Sequence, residues 1–167
     1  MKAFDELVST KQSRMGFHYF PNSLHYTDKD AEMWIPEIKA LGASWLVLTS
    51  EADRAIPETF FAALKEAGIE PIVKFEKGLE NHLETIDMRT LLEAYARWGV
   101  HSIAFFDRPN ARSSWPGSEW AQNGLVERFL DRYIPLAGMA LDCDIVPLFP
   151  ALEPGGNFWD TAFLSLA

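Results

Sequence analysis

The sequence predicts an α/β fold built from successive βα units. Three observations carry that prediction. Short apolar runs begin at residues 15, 44, 71, 102 and 145, each followed by a polar loop and a stretch of helical periodicity. The runs are nearly all apolar, as expected of parallel strands covered on both faces. The spacing of about 30 residues suits a strand, its crossover helix and two loops.

The elements follow in order. Residues 1–14 (MKAFDELVSTKQSR) read as a helical arm, with Ala3, Phe4, Leu7 and Val8 on one face, suited to covering an open end of the fold. Residues 15–167 form the βα-repeat domain. MGFHYF (15–20) is the first strand. Thr27 and Asp30 then stand at N-cap and N3 of a capping box. Trp34, Ile38 and Leu41 make the apolar face of a helix that stops at Gly42, with Pro36 expected to kink it or mark a late start. The second unit is SWLVLTS (44–50) and a helix opening with Pro57 at its first position and closing at Gly68. The third is PIVKFE (71–76) and a helix from about Asp87 to Trp98. The fourth is SIAFFD (102–107), the long loop RPNARSSWPGSEWAQNG, and a helix from about Leu125 to Leu141. The fifth is IVPLFP (145–150), the loop ALEPGGN, and a helix starting near Phe158.

Five βα units fit two architectures. One is a partial (β/α)8 barrel, whose full form takes eight units and about 250 residues. The alternative is a flavodoxin-like doubly wound sheet of order 2-1-3-4-5. The apolar helical ending TAFLSLA lacks a C-cap and a basic last turn, which favours a barrel cut from a longer chain. A partial barrel leaves its first and fifth strand edges open, to be covered by further chain segments or a second copy.

Composition narrows the partners. A net charge of −9 argues against nucleic acid and against an anionic membrane surface. No apolar run reaches the ~20 residues of a membrane span, and the N-terminus carries acids where a signal peptide is apolar. One cysteine, Cys143, allows no internal disulfide, so a reducing, cytoplasmic setting is the default. The four histidines show no metal-ligand spacing, and no GxGxxG, GxxxxGK[ST] or GxSxG motif occurs. No metal or cofactor is implied.

Function in either fold belongs at the C-terminal strand ends. These ends carry His18 and Tyr19, then Glu51 and Asp53, then Lys74 and Glu76, then Asp107, Arg108 and Asn110, and finally Glu153. Carboxylates converging from neighbouring strands shift one another's pKa values, as a general acid and base require. Salt bridges to Lys74 or Arg108 would instead make them structural. Trp115 in the long loop offers a flat apolar surface for stacking on a sugar ring, or packs the loop against the barrel.

Three segments resemble the opening units of clan A glycoside hydrolases: GFHYFPN (16–22), IPEIKALGASWLVL (35–48) and AALKEAGIEPIVKF (62–75). FFDRPN (105–110) falls where that family places Asn-Glu-Pro. The resemblance implies a (β/α)8 barrel acting on carbohydrate. It also puts Arg108 at the position of the family's acid/base glutamate, and arginine cannot act as that acid. The family's nucleophile belongs to strand seven, beyond this chain. On this reading Asp107 and Glu153 are the candidate catalytic carboxylates. His18, Tyr19, Glu76, Arg108, Asn110 and Trp115 are the candidate substrate contacts. A non-catalytic glycan-binding or scaffold barrel is the competing expectation, and a flavodoxin-like nucleotide or partner module is the third.

Overall fold

A computed structural model describes residues 15–75, 79 and 85–167. The helical arm at 1–14 and the candidate contact Glu76 lie outside the described residues. Five strands, β1 (Gly16–His18), β2 (Trp45–Ser50), β3 (Glu70–Phe75), β4 (Ser102–Phe105) and β5 (Val146–Leu148), form one sheet. All four pairings are parallel and the strand order is 1-2-3-4-5. That order overturns the flavodoxin-like alternative, which requires the chain to reverse beside β1. A sequential parallel sheet with crossover helices is a partial (β/α)8 barrel.

The helices arise where local chemistry starts and stops them. In α1 (Asp28–Ala40) the Thr27 hydroxyl accepts from the Asp30 N–H at 3.2 Å, and the Asp30 carboxylate accepts from the Thr27 N–H at 3.0 Å. The expected capping box is therefore formed. The helix runs unbroken through Pro36, whose exposed position lets water take the carbonyl that proline cannot bond. In α2 (Glu58–Ala67) Pro57 is the N-cap rather than the first helical residue, because its ψ of 141° is extended. The remaining helices are α3 (Thr85–Arg97), the short α4 (Gly117–Trp120), α5 (Leu125–Asp142) and α6 (Asp160–Leu166). The last begins two residues later than its apolar pattern predicts. A 3-10 turn, Arg112–Ser114, and α4 together order the long loop after β4.

The core lies between the sheet and its helices. Leu46, Leu48, Val73, Phe75, Ile103 and Phe105 point one way from the sheet and are fully buried. They join Phe60, Phe61 and Leu64 of α2, Leu92 and Tyr95 of α3, and Phe129 of α5 in one cluster. Each such side chain contributes about 1.5–3 kcal/mol on burial. The other sheet face, carrying Trp45, Val47, Thr49, Ile72, Lys74 and Ala104, is only half-buried. The apolar runs predict two fully covered faces; among the described residues one is fully buried and the other half-buried. Burial along β2 and β3 consequently alternates with period two. The half-buried face is the inner face of the partial barrel, and Lys74 stands at its C-terminal rim.

Candidate functional site

The chain leaves β4 through an unusual backbone. Phe106 has φ 66° and Arg108 has φ 42°, both in the left-handed region that side chains disfavour. Each such residue costs on the order of 1–2 kcal/mol, and strain of this kind gathers at functional sites. The turn is held by local bonds. Ser114 Oγ donates to the carbonyls of Asp107 and Arg108, both at 2.9 Å, and the Ala111 N–H donates to the Arg108 carbonyl at 2.8 Å.

This turn is tied to the loop after β5. The Arg108 N–H donates to the Ala151 carbonyl at 3.1 Å. Asn110 is completely buried. Its Nδ2 donates to the carbonyls of Glu153 and Phe158 at 2.9 and 3.0 Å, and its Oδ1 accepts from the Glu153 N–H at 2.8 Å. Gly156 allows this approach, since a Cβ there would lie 2.7 Å from Asn110 Nδ2. Asn157 Oδ1 completes the link by accepting from the Arg112 N–H at 2.9 Å.

The result is a line of alternating charges across three neighbouring strand ends. Lys74 Nζ lies 2.8 Å from Asp107 Oδ1, Arg108 Nε lies 2.8 Å from Asp107 Oδ2, and Arg108 Nη1 lies 3.0 Å from Glu153 Oε2. Burial works against the charge of Asp107, but hydrogen bonds and attraction from Lys74 and Arg108 outweigh it. Its carboxyl is therefore held below the usual carboxylate range. The line is not sealed: the Lys74 and Asp107 side chains are 16% and 25% exposed, those of Arg108 and Glu153 50% and 44%. Among the described residues the line pairs two cations with two anions, so it offers donors and acceptors side by side. That suits a neutral polyhydroxylated ligand better than an anionic one.

The side chains of the other expected contacts do not join this line. Trp115 is 4% exposed, its Nε1 donates to the Pro109 carbonyl at 2.7 Å, and the guanidiniums of Arg128 and Arg132 lie over its ring. It braces the loop and offers no face for stacking. His18 and Tyr19 line a groove of about 290 Å3 between β1 and α1, together with Phe17, Trp34 and Leu41. The Tyr19 ring packs on Phe20, Tyr26 and Phe60. Its hydroxyl is buried without a hydrogen-bond partner among the described residues. Burial, and then the negative charge of Asp30, push that phenol well above its ordinary pKa. Asn110, expected to touch substrate, is the clamp described above. Among the described residues no group of three His, Cys, Asp or Glu side chains converges as a metal-ligand set.

A second cavity of about 280 Å3 opens at the same ends of β1 and β2. It is lined by Ser23, Tyr26, Asp28, Arg54 and Thr59, among others. Thr59 Oγ1 donates to Asp28 Oδ1 across it at 3.1 Å, and Ser23 Oγ bonds the Glu51 carboxylate. Glu51 belongs to the predicted strand-end set and Tyr26 is an aromatic that follows a strand, but nothing local in the sequence marks Ser23, Asp28 or Thr59 for a site. Their signal was the nearness of two helix starts, at Asp28 and Glu58, which becomes spatial only once α1 and α2 pack together.

No family model matches the chain, and no curated relative matches it by sequence. Solved structures match its shape. The D-psicose 3-epimerase of Clostridium cellulolyticum H10, determined with D-tagatose, aligns with TM-score 0.58 at 15% identity, over 90% of this chain and 58% of that one. An L-ribulose 3-epimerase aligns with TM-score 0.58 at 10% identity, over 83% and 49%. A D-psicose 3-epimerase in the presence of D-fructose aligns with TM-score 0.53 at 16% identity, over 90% and 58%. At these identities the likeness establishes the barrel fold, and this chain spans about half to three-fifths of those proteins.

Proposed function

We propose that this chain is a carbohydrate-binding barrel domain. Its ligand contacts are Lys74, Asp107, Arg108 and Glu153 at the ends of β3, β4 and β5. The observation that carries the reading is the charge-balanced, partly exposed line these side chains form. Each vicinal pair of sugar hydroxyls needs one donor and one acceptor within reach, and the line supplies both repeatedly. The fold neighbours act on or contain ketoses by name, so a free ketose is the first ligand class to test. Asp107 and Glu153 are the carboxylates at hand for chemistry on it. Asp107, held ionised, serves as a proton or hydroxyl acceptor and not as a proton donor near neutral pH.

Calorimetric titration with D-fructose, D-tagatose and D-psicose tests the reading. Saturable binding that is lost in Arg108→Ala supports it. No binding of any ketose, or equal binding by the variant, contradicts it. The resemblance to clan A glycoside hydrolases adds cleavage of a glycosidic bond as a second reading, favoured by the exposed Glu153 carboxylate beside Arg108. Glycoside cleavage abolished in Glu153→Gln would support that chemistry, and cleavage unchanged in the variant would remove Glu153 from it.

A further inference from the structure

Arg128 and Arg132 stand one turn apart on α5, and their guanidinium carbons lie 5.5 and 5.2 Å from the centroid of the Trp115 ring. Cations held over an indole face are attracted to its electron density, which explains why both planes rest there. It does not explain how their charges are balanced. Among the described residues Arg128 donates to backbone carbonyls alone: Nη1 to Asn123, and Nη2 to Glu119 and Gln122 at 2.8 and 3.3 Å. Arg132 Nη2 donates to Glu119 Oε2 at 2.6 Å. Among the described residues Glu119 is the one carboxylate ion-paired with either guanidinium. Moreover, Arg128 Nε and Arg132 Nη1 are buried without a hydrogen-bond partner among the described residues. A buried guanidinium N–H left unpaired is costly, and such groups mark places where an ion or water belongs.

We propose that Arg128 and Arg132 form a binding site for a compact oxyanion, a phosphoryl group in the first instance. A tetrahedral oxyanion presents several acceptors to two planar donor forks, and it would supply a second negative charge beside the one that Glu119 gives among the described residues. Trp115 braces both planes, and Glu119 is the internal competitor for Arg132. The site is distinct from the strand-end line and does not depend on sugar binding there.

Inorganic phosphate, a hexose phosphate and the unphosphorylated hexose are the probes, followed by the Arg128 Nε–H and Trp115 indole N–H resonances of the whole chain. Saturable shifts of both resonances with phosphate and with the hexose phosphate, lost in Arg132→Gln, are expected. Tighter binding of the hexose phosphate than of phosphate assigns the group to a sugar carrier, and equal binding assigns it to the free ion; both support the site. Glu119→Gln removes the competitor and is expected to tighten phosphate binding several-fold. Absent shifts in the wild-type chain, binding retained by Arg132→Gln, or unchanged or weaker binding by Glu119→Gln would each overturn the proposal. The wild-type resonances and Glu119→Gln keep the test decisive even where Arg132→Gln fails to fold.

Discussion

Asn110 is the residue on which the site's shape depends. Its amide joins the turn after β4 to the loop after β5 through three hydrogen bonds to residues 43 and 48 positions away. Replacing it with alanine strands backbone groups of Glu153 and Phe158. Asn110→Ala should therefore cost about 3 kcal/mol, read as a lower urea midpoint. It should also weaken ligand binding by releasing Glu153. The same long separation explains why the clamp was not legible in the sequence, where Asn110 read as a substrate contact. By contrast the Thr27–Asp30 capping box was legible, because its partners are three residues apart. Trp115 falls between these cases. Its aromatic character was evident, but the side it turns to Arg128 and Arg132 depends on α5, more than ten residues further along the chain.

Asp107 gives the site its pH dependence. Its folded-state pKa lies below the unfolded value, near 3.9 for aspartate. The unfolded chain therefore takes up the proton first on acidification. The stabilisation is fully present above the unfolded pKa and is lost as pH falls through the folded one. Thermal unfolding between about pH 5 and pH 2 should show this loss in the wild type and a shallower slope in Asp107→Asn. Identical acid limbs would mean that Lys74 and Arg108 do not hold the charge.

At the scale of elements, the sheet is governed by which face each strand buries. Gly16 of β1 lies directly under the ring of Trp45, the residue paired with it in β2, and a Cβ at Gly16 would meet that ring at 1.9 Å. Gly16→Ala must push Trp45 off the inner face, at about 1–3 kcal/mol. Combining it with Trp45→Ala should recover most of that loss, and the double-mutant cycle measures the coupling. Additive effects would show that the ring does not rest on the glycine. Apolar runs, helix starts and the helix stops at Gly42, Gly68 and Gly99 could be read from the sequence because each is a local signal. The half-covered inner face could not. A run such as WLVLTS looks alike whether both faces or one are packed, and only the number of strands decides between them.

For the whole molecule, the sequential order of five parallel strands sets the distribution of stability. Strands β2, β3 and β4 each have two neighbours, whereas among the described residues β1 and β5 have one. Large exposed apolar side chains also gather in the outer units, including Met33 and Trp34 in α1, Leu41 at its C-cap, and Leu141, Phe149 and Trp159 near β5. Native-state hydrogen exchange should therefore be slowest for amides of Val47, Val73 and Ile103 and markedly faster in β1 and β5. Equal protection of Phe17 and Val73 would mean that the β1 edge is covered in solution. Counting βα units predicts five sequential parallel strands, so at this scale the fold is legible in the sequence. The charge line is not, since it depends on Phe106 and Arg108 turning through left-handed backbone that neither residue type favours.

A neutral sugar bound across the ends of β3, β4 and β5, as proposed, would contact all three of them. Titration of isotope-labelled chain with unphosphorylated monosaccharides, followed by backbone and arginine side-chain resonances, reads that contact residue by residue. Saturable shifts centred on Lys74, Asp107, Arg108 and Glu153, abolished in Arg108→Ala, with the Trp34–Leu41 groove unmoved, are expected. Shifts confined to that groove or to the cavity at Arg54, or no saturable shift for any monosaccharide, would contradict the proposed sugar binding.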